Sequence, residues 1–233
     1  MMKNNHLTSG YMRTIHSCAL VALSLLPVCV QAGFVPTAYY VIDGESLSTT
    51  DVLNDAQAPL EVTFKANPED LGEAIPSYEW RFVKEGSTEP YLIRYEEQTT
   101  YDFRESGTTA ISLYVTYDAE SEPELISTIR ISISNSLLEM PNAFSPNGDG
   151  INDIYRAKSN HKSIVDFHAY IFNRWGQKLY EWTDINGGWD GNYHGSKVKA
   201  GVYYVLVRAR GADGRKYEIK RDVNVLTDYN EQE

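Results

Sequence analysis

The sequence predicts an all-β protein that consists of two tandem β-sandwiches. Three observations support this class. Apolar side chains recur at every second position in several short stretches, which is the period of a strand with one buried face. Turn-forming residues separate these stretches, and no segment between them carries a helical stripe. The 17 tyrosines in the chain are typical of strands that pack face to face.

The N-terminus, residues 1–32, has the pattern of a secretory signal peptide. Lys3 and Arg13 supply positive charge, residues 18–30 are mostly apolar, and Ala32 is the small residue that signal peptidase prefers at its cleavage site. The apolar run is shorter than the roughly 20 residues that cross a bilayer. We therefore expect no transmembrane span in the mature chain.

Several details of this segment stay open in the sequence. Translation starts at Met1, Met2 or Met12, and the last of these gives a signal peptide of ordinary length. The alternatives to cleavage after Ala32 are a lipoprotein attached through Cys29 and a buried N-terminal helix.

The cysteines and the charge limit the classes of function. Cys18 and Cys29 both lie in the predicted signal peptide, so the mature chain has no thiol for a disulfide, a metal ion or a nucleophile. The sequence has 21 basic and 32 acidic residues; residues 1–32 contain two of the basic ones, which leaves the mature chain with a net charge of −13. A nucleic-acid partner requires a basic face, so we expect none. The acidity keeps the protein soluble or, alternatively, attracts divalent cations.

The first sandwich is predicted over residues 33–136. Apolar and polar positions alternate in residues 60–66, 78–82, 111–117 and 129–133. About 100 residues can enclose a core without covalent staples, so we expect this half to be a domain of its own.

The second sandwich is predicted over residues 137–226. Residues 134–136 form a linker so short that the two halves touch with limited freedom. Residues 202–209 and 217–225 are predicted to form a hairpin. Further strands are predicted at residues 165–171 and 179–182. The last seven residues, 227–233, form an acidic tail.

Four motifs of the second half follow one another in order. They are Pro141-Asn142-Ala143-Phe144-Ser145-Pro146-Asn147-Gly148-Asp149-Gly150-Ile151-Asn152-Asp153, then Asn173-Arg174-Trp175-Gly176, then Trp189-Asp190-Gly191, and finally Gly201-Val202-Tyr203. Together they make residues 138–226 resemble the gliding motility-associated C-terminal domain, which is the type B sorting domain of the type IX secretion system of Bacteroidota.

The resemblance implies a domain that exports or anchors its cargo and carries no catalysis. In that family the outer-membrane secretion machinery recognises the C-terminal domain after it has folded in the periplasm. The preceding domain then reaches the cell surface or the medium, or stays in the periplasm if no translocation follows. The motif residues are expected to serve recognition or folding. Two features depart from the family: residues continue beyond Leu226, and the cargo is one small domain.

The first half resembles the PKD (polycystic kidney disease) repeat, an immunoglobulin-like module. The resemblance rests on Tyr-Glu-Trp-Arg-Phe at residues 78–82 and on residues 100–107, although the glycine-rich turn of that family is missing after the Trp strand. It implies an immunoglobulin-like sandwich in which Trp80 is a core aromatic. The alternative is that Trp80 stacks on a sugar ring.

The first motif has the spacing of a calcium loop. The predicted ligands supply oxygen atoms at alternate positions and are Ser145, Asn147, Asp149, the carbonyl of Ile151, and Asp153. Arg156 replaces the usual bidentate Glu, so calcium affinity would be weak, at a Kd of ~10⁻⁴–10⁻³ M. The alternative is a turn in which Asn147 and Asp149 accept backbone N–H bonds and the glycines adopt positive φ.

The other motif residues are predicted to be architectural. Asn173 closes a turn with its side chain, and Trp175 and Trp189 pack between the sheets of the second sandwich. As an alternative, the two tryptophans form an exposed aromatic patch that contacts a partner.

No catalytic residue is predicted. The mature histidines, His161, His168 and His194, are isolated in the sequence, and neither a Gly-x-Ser-x-Gly elbow nor a His-Glu-x-x-His motif occurs. A carboxylate pair of the glycosidase kind is the catalytic alternative that stays open.

The sequence therefore predicts a non-enzymatic protein of the cell surface or the extracellular space. In the first hypothesis, an immunoglobulin-like domain binds a surface protein or a glycan and is exported through the second domain. In the second hypothesis, the protein is a structural component of the envelope or of a filament, and both sandwiches assemble through edge strands. Neither hypothesis requires a cofactor, and calcium is the one candidate ion.

Overall fold

The computed structural model describes residues 33–118 and 120–226, and all regular structure in them is β-strand. The predicted all-β class with sandwich-like sheets is confirmed. The strands are β1 Gly33–Phe34, β2 Thr37–Ile42, β3 Glu45–Thr49, β4 Val52–Ala56, β5 Leu60–Lys65, β6 Pro68–Glu69, β7 Ser77–Lys84, β8 Leu92–Arg94, β9 Gln98–Phe103, β10 Gly107–Thr116, β11 Glu124–Ile133, β12 Ala143–Phe144, β13 Ile164–Phe172, β14 Lys178–Trp182, β15 Asn192–Tyr193, β16 Ser196–Lys197, β17 Gly201–Gly211 and β18 Lys216–Val225.

The predicted signal peptide, residues 1–32, and the acidic tail, residues 227–233, lie outside the described residues. In the part of the chain that is described, no helix is long and apolar enough to cross a membrane.

The first sandwich comprises β1–β11 and encloses its core between two sheets. A four-stranded sheet has the order β3-β2-β5-β9, and a five-stranded sheet has the order β4-β11-β10-β7-β8. Neighbouring strands are antiparallel except β4, which runs parallel to β11. Strands β5 and β10 bury every second side chain, as the alternation predicted, because only one face of each sheet meets the core.

Trp80 lies fully buried in this first core. Its ring centroid is 5.9 Å from that of Phe64, and its indole N–H donates a hydrogen bond of 3.0 Å to the carbonyl of Glu96. The polar atom of the ring is thereby satisfied inside the core. The prediction of a core aromatic is confirmed, and the sugar-stacking alternative is wrong.

The second sandwich comprises β12–β18 and has one large sheet of order β12-β18-β17-β13-β14. Irregular segments around Tyr155 and Trp189, together with the small β15–β16 ribbon, form the layer opposite this sheet. The predicted hairpin is confirmed: β17 and β18 pair continuously from Gly201↔Val225 to Arg210↔Lys216.

The two sandwiches are joined by buried polar contacts. The hydroxyl of Ser163, which is 1% exposed, accepts a hydrogen bond from the backbone N–H of Ala58 at 3.2 Å and lies 2.9 Å from the hydroxyl of Ser134. Ala212, in the β17–β18 turn, accepts from the N–H of Ser106 and packs into the first core. We call this end of the second sandwich the junction end.

The segment predicted as a linker is part of this junction. The hydroxyl of Ser136 donates to the carboxylate of Asp213 at 2.7 Å and lies 2.9 Å from the hydroxyl of Tyr217. The predicted contact between the two halves is therefore held by specific hydrogen bonds.

Candidate functional site

All four motifs meet at one end of the second sandwich, which we call the motif end. Strand register places them there. Phe172, which directly precedes the second motif, pairs with Tyr204 on β17. Gly201 of the fourth motif pairs with Val225 on β18, and Phe144 of the first motif lies beside Val225 on the other side. The motif end is thus opposite the junction end, at the open end of the long β17–β18 hairpin, where β17 begins and β18 ends.

Trp189 joins the motifs at the centre of this end. It is fully buried, and its ring centroid lies 5.4 Å from that of Phe144 and 5.5 Å from that of Tyr203. Its indole N–H donates to the carbonyl of Asn192 at 2.9 Å. The prediction that Trp189 packs in the second core is confirmed.

A residue outside the motifs, Tyr155, completes this aromatic cluster. The backbones of Tyr155 and Trp189 exchange two hydrogen bonds of 2.8 and 2.9 Å, and the Tyr155 hydroxyl donates to the carbonyl of Pro141 at 3.0 Å. Burial raises the pKa of Tyr155 above its usual range. A Cβ on Gly188 would lie 2.6 Å from the Tyr155 carbonyl oxygen, so only glycine permits this close approach of the two backbones.

The loop of the first motif is closed by its own carboxylates. One oxygen of Asp153 accepts the N–H of Gly148 at 2.6 Å, and the other accepts the N–H of Gly150 at 2.8 Å. These backbone hydrogen bonds, with that of Gly148 the largest cause, lower the pKa of Asp153. Asp149 likewise accepts the N–H of Ile151 at 2.8 Å. Gly150 has a φ of 89°, which allows the sharp turn.

The predicted calcium ligands lie close together in this loop. The hydroxyl of Ser145 is 3.5 Å from the carbonyl oxygen of Ile151, and the amide of Asn147 donates to the carboxylate of Asp149 at 2.7 Å. Asn147 and Asp149 each accept a backbone N–H bond, as the turn hypothesis expects, and both oxygens of Asp153 accept further ones. No group of three or more His, Cys, Asp or Glu side chains in the described residues could hold a metal ion. Calcium binding stays a prediction.

Asp190 of the third motif closes a second turn at the same end. Its carboxylate accepts the backbone N–H of Asn192 at 3.0 Å and the side-chain amide of Asn192 at 2.6 Å. The next residue, Gly191, lies against Pro146, because a Cβ there would be 2.9 Å from the Pro146 Cγ. The first and third motifs therefore pack together directly.

The second motif forms the turn between β13 and β14. The side-chain oxygen of Asn173 accepts the N–H groups of Trp175 and Gln177, each at 3.0 Å, and the N–H of Gly176 donates to the Asn173 carbonyl. The prediction that Asn173 closes this turn is confirmed.

Trp175 does not pack between the sheets, so that prediction is wrong. Its side chain is 79% exposed. It is the third residue after the end of β13, in a turn that projects beyond the core, and no inward-facing position is available there. The Arg174 guanidinium lies 5.1 Å from the centroid of the Trp175 ring. Of the two tryptophans, one is a core residue and the other is a surface residue.

The remaining motif residues support strands at this end. The N–H of Asn224 donates to the carbonyl of Asn142 at 2.9 Å, next to the β12–β18 pair. The Tyr203 hydroxyl donates to the carbonyl of Lys199 at 2.9 Å, and burial raises the pKa of Tyr203. Gly201 begins β17.

The two sandwiches differ in net charge. Residues 33–136 contain six basic and 19 acidic residues, a net charge of −13, whereas residues 137–226 contain 13 basic and 10 acidic residues, a net charge of +3. At the motif end, the ammonium of Lys197 donates to the carbonyl of Pro146. Arg174 and Lys199 form no ion pair within the described residues.

The three histidines lie in separate places. His161 borders a cleft near the junction, His168 stacks on Tyr170 on the outer face of β13, and His194 follows β15 at the motif end. This arrangement does not bring two imidazoles to one site.

Comparison with known proteins identifies the motif region. Residues 138–222 match the family model of the CHU_C type IX secretion signal domain, which confirms the resemblance predicted from the four motifs. No curated protein matches the chain.

One solved structure that matches is from Bacteroides ovatus, the mixed-linkage glucan utilization locus (MLGUL) SGBP-B in complex with a mixed-linkage heptasaccharide. The sequence identity is 11%, the TM-score is 0.27, and the match covers 76% of this chain and 43% of that chain. The chain thus spans less than half the length of that protein, and at this TM-score the likeness carries no functional argument.

Proposed function

We propose that this chain, whose second sandwich is a type IX secretion signal domain, is a non-enzymatic binding protein of the cell surface or the extracellular space. The signal domain accounts for export through the type IX secretion system. The first sandwich is the exported part, and its ligand is a surface protein or a glycan.

The position of the motif end supports this division of roles most strongly. Within the described residues, no hydrogen bond joins a motif residue to the first sandwich, whereas Ser163, Lys162 and Ala212 at the junction end all bond to it. A receptor in the secretion machinery can therefore reach the motif end while the first sandwich stays attached.

A cleft beside the junction is the candidate site for the ligand. It has a volume of about 700 Å³, and its walls come from both sandwiches. Its apolar side chains include Val41 and Ile42. Its acidic and basic groups include Asp43, Asp55, Arg156 and His161. Such a mixture of apolar surface and a few hydrogen-bonding groups suits a polar ligand such as a glycan chain or a peptide.

One observation favours the structural alternative, in which copies or partners assemble through strands. Strand β3 is an edge strand of its sheet, and its residues Glu45–Thr49 are mostly exposed. It contains neither Lys nor Pro, the residues that commonly protect an edge from pairing with another chain. Sedimentation of the purified protein distinguishes the alternatives: a monomer at all concentrations supports a binding module, and concentration-dependent growth supports assembly.

The export step is tested in the native host with the full chain. The protein is located by protease treatment of intact cells, in the parent strain and in an isogenic strain that lacks the outer-membrane translocon. We expect surface or extracellular protein in the parent and periplasmic protein in the translocon mutant. Equal surface amounts in the two strains would refute the proposed function.

A further inference from the structure

The Trp175 side chain is exposed to solvent, and the turn that contains it is stable without contacts from the indole ring. The side-chain oxygen of Asn173 and the N–H of Gly176 close the turn, so its hydrogen bonds are complete without the indole. At 79% exposure, Trp175 has the most exposed tryptophan or tyrosine ring of the described residues. An aromatic ring of this size normally contributes more by burial than any other side chain, and here the fold does not use it.

The turn presents this ring from a fixed position. Asn173 also bonds to the side-chain oxygen of Gln177 at 2.9 Å, and the Gln177 amide donates to the hydroxyl of Tyr193 at 2.8 Å, across to the β15–β16 ribbon. The turn is thereby anchored on both sides. Because the backbone that carries the ring is already ordered, less conformational entropy is lost when a partner covers the ring, which is a property of binding hot spots.

The charges around the ring indicate what kind of partner fits. Arg174 lies over the ring, and Lys199 follows at the same end; neither has an ion-pair partner in the described residues. The charge directly beside the Trp175 ring is thus the positive charge of Arg174, although the chain as a whole carries a net charge of −11.

We propose that Trp175 is the anchor with which the signal domain docks on the secretion machinery. The indole enters an apolar pocket of an outer-membrane machinery protein, and Arg174 pairs with a carboxylate at the rim of that pocket. This inference rests on the proposed function and assigns the docking contact to one turn of the motif end.

The test compares export of full-length variants in the native host. Trp175→Ala should lower the surface fraction about tenfold or more, which is the scale of a lost hot spot, and the protein should accumulate in the periplasm. Trp175→Phe should retain most export, because it keeps an aromatic ring. Arg174→Glu should lower export by a smaller factor through charge reversal. The matched control is Tyr95→Ala, since Tyr95 is also largely exposed but lies on the first sandwich.

The outcomes separate this inference from the proposed function. Thermal melting of the purified variants first verifies that each folds as the wild type does. If Trp175→Ala and Arg174→Glu are exported normally while the translocon mutant retains the wild-type protein, the docking inference is refuted and the proposed function stands. If the wild-type protein reaches the surface without the translocon, both are refuted. Should Trp175→Ala fail to fold, export of Arg174→Glu decides.

Discussion

The loops at the two ends of the second sandwich satisfy their hydrogen bonds in opposite ways. At the junction end, Ser163 directs its side chain to the first sandwich and bonds to Ala58, 105 residues away in the sequence. At the motif end, Asp153 and Asn173 bond to backbone groups within five residues of themselves. The junction end therefore forms hydrogen bonds with the first sandwich, whereas these two side chains of the motif end form theirs within their own loops.

This difference suits the proposed function, in which the signal domain is recognised while it is joined to the first sandwich. The junction end holds the first sandwich through groups that are buried, so it cannot offer these groups to another protein. The motif end satisfies its backbone locally, and side chains such as Trp175 and Arg174 are then available to a partner. The two sandwiches also differ in net charge, which is −13 for the first and +3 for the second.

The largest effect is expected from the two tryptophans of the motif end. Trp189→Ala should lower the free energy of unfolding by about 3–5 kcal/mol, because it leaves a large cavity next to Phe144 and Tyr203. Trp175→Ala should change it by no more than about 0.5 kcal/mol, because the ring is exposed. Urea unfolding of both variants measures the difference. Equal losses would mean that Trp175 has a packing role and is not a surface residue.

A comparison of Trp80 with Trp175 shows how far the sequence could be interpreted. Period-two alternation placed Trp80 in the core correctly, because a strand with one buried face imposes that period. Trp175 lies in a turn, where no period relates a side chain to the core. The motif that contains it identified the family but could not indicate the direction of its ring.

The hydrogen bonds of the junction end could not be predicted from the sequence for another reason. The sequence indicates Ser136 only as part of a linker and Asp213 only as part of the turn of the predicted hairpin, and it indicates no role for Ser163. Ser163 bonds to Ala58, 105 residues away, and Ser136 bonds to Asp213, 77 residues away, so no local pattern encodes these two contacts. The tight contact of Gly211 with the Ser136 hydroxyl, which lies 2.0 Å from where a Cβ would be, is likewise visible only in three dimensions.

A smaller effect is expected at the junction end. Ser163→Ala removes the acceptor for the buried N–H of Ala58, so the free energy of unfolding should fall by about 1–3 kcal/mol. Ser159→Ala is the matched control, since Ser159 is exposed in the same segment. Thermal unfolding monitored by circular dichroism measures both. If Ser163→Ala unfolds like the control, the junction does not depend on this hydroxyl.

The smallest effect is expected from the carboxylate that closes the first motif. Backbone N–H groups of Gly148 and Gly150 lower the pKa of Asp153 in the folded state, so Asp153 contributes stability above its unfolded pKa, about 3.9, and loses it as the pH falls through the folded value. Between pH 5 and pH 2, Asp153→Asn should therefore lose less stability than the wild type.

Calcium distinguishes the two hypotheses for the same loop. Because both oxygens of Asp153 already accept N–H bonds, we expect about 1 mM calcium, a concentration within the range of weak extracellular sites, to leave the Tm of the wild type unchanged. A rise in Tm with calcium that is absent in Asp153→Asn would show that the carboxylate exchanges its backbone partners for the ion. In that case the first motif would be closed by backbone hydrogen bonds without calcium and by the ion in its presence, and the contrast between the motif end and the junction end would depend on the calcium concentration of the medium.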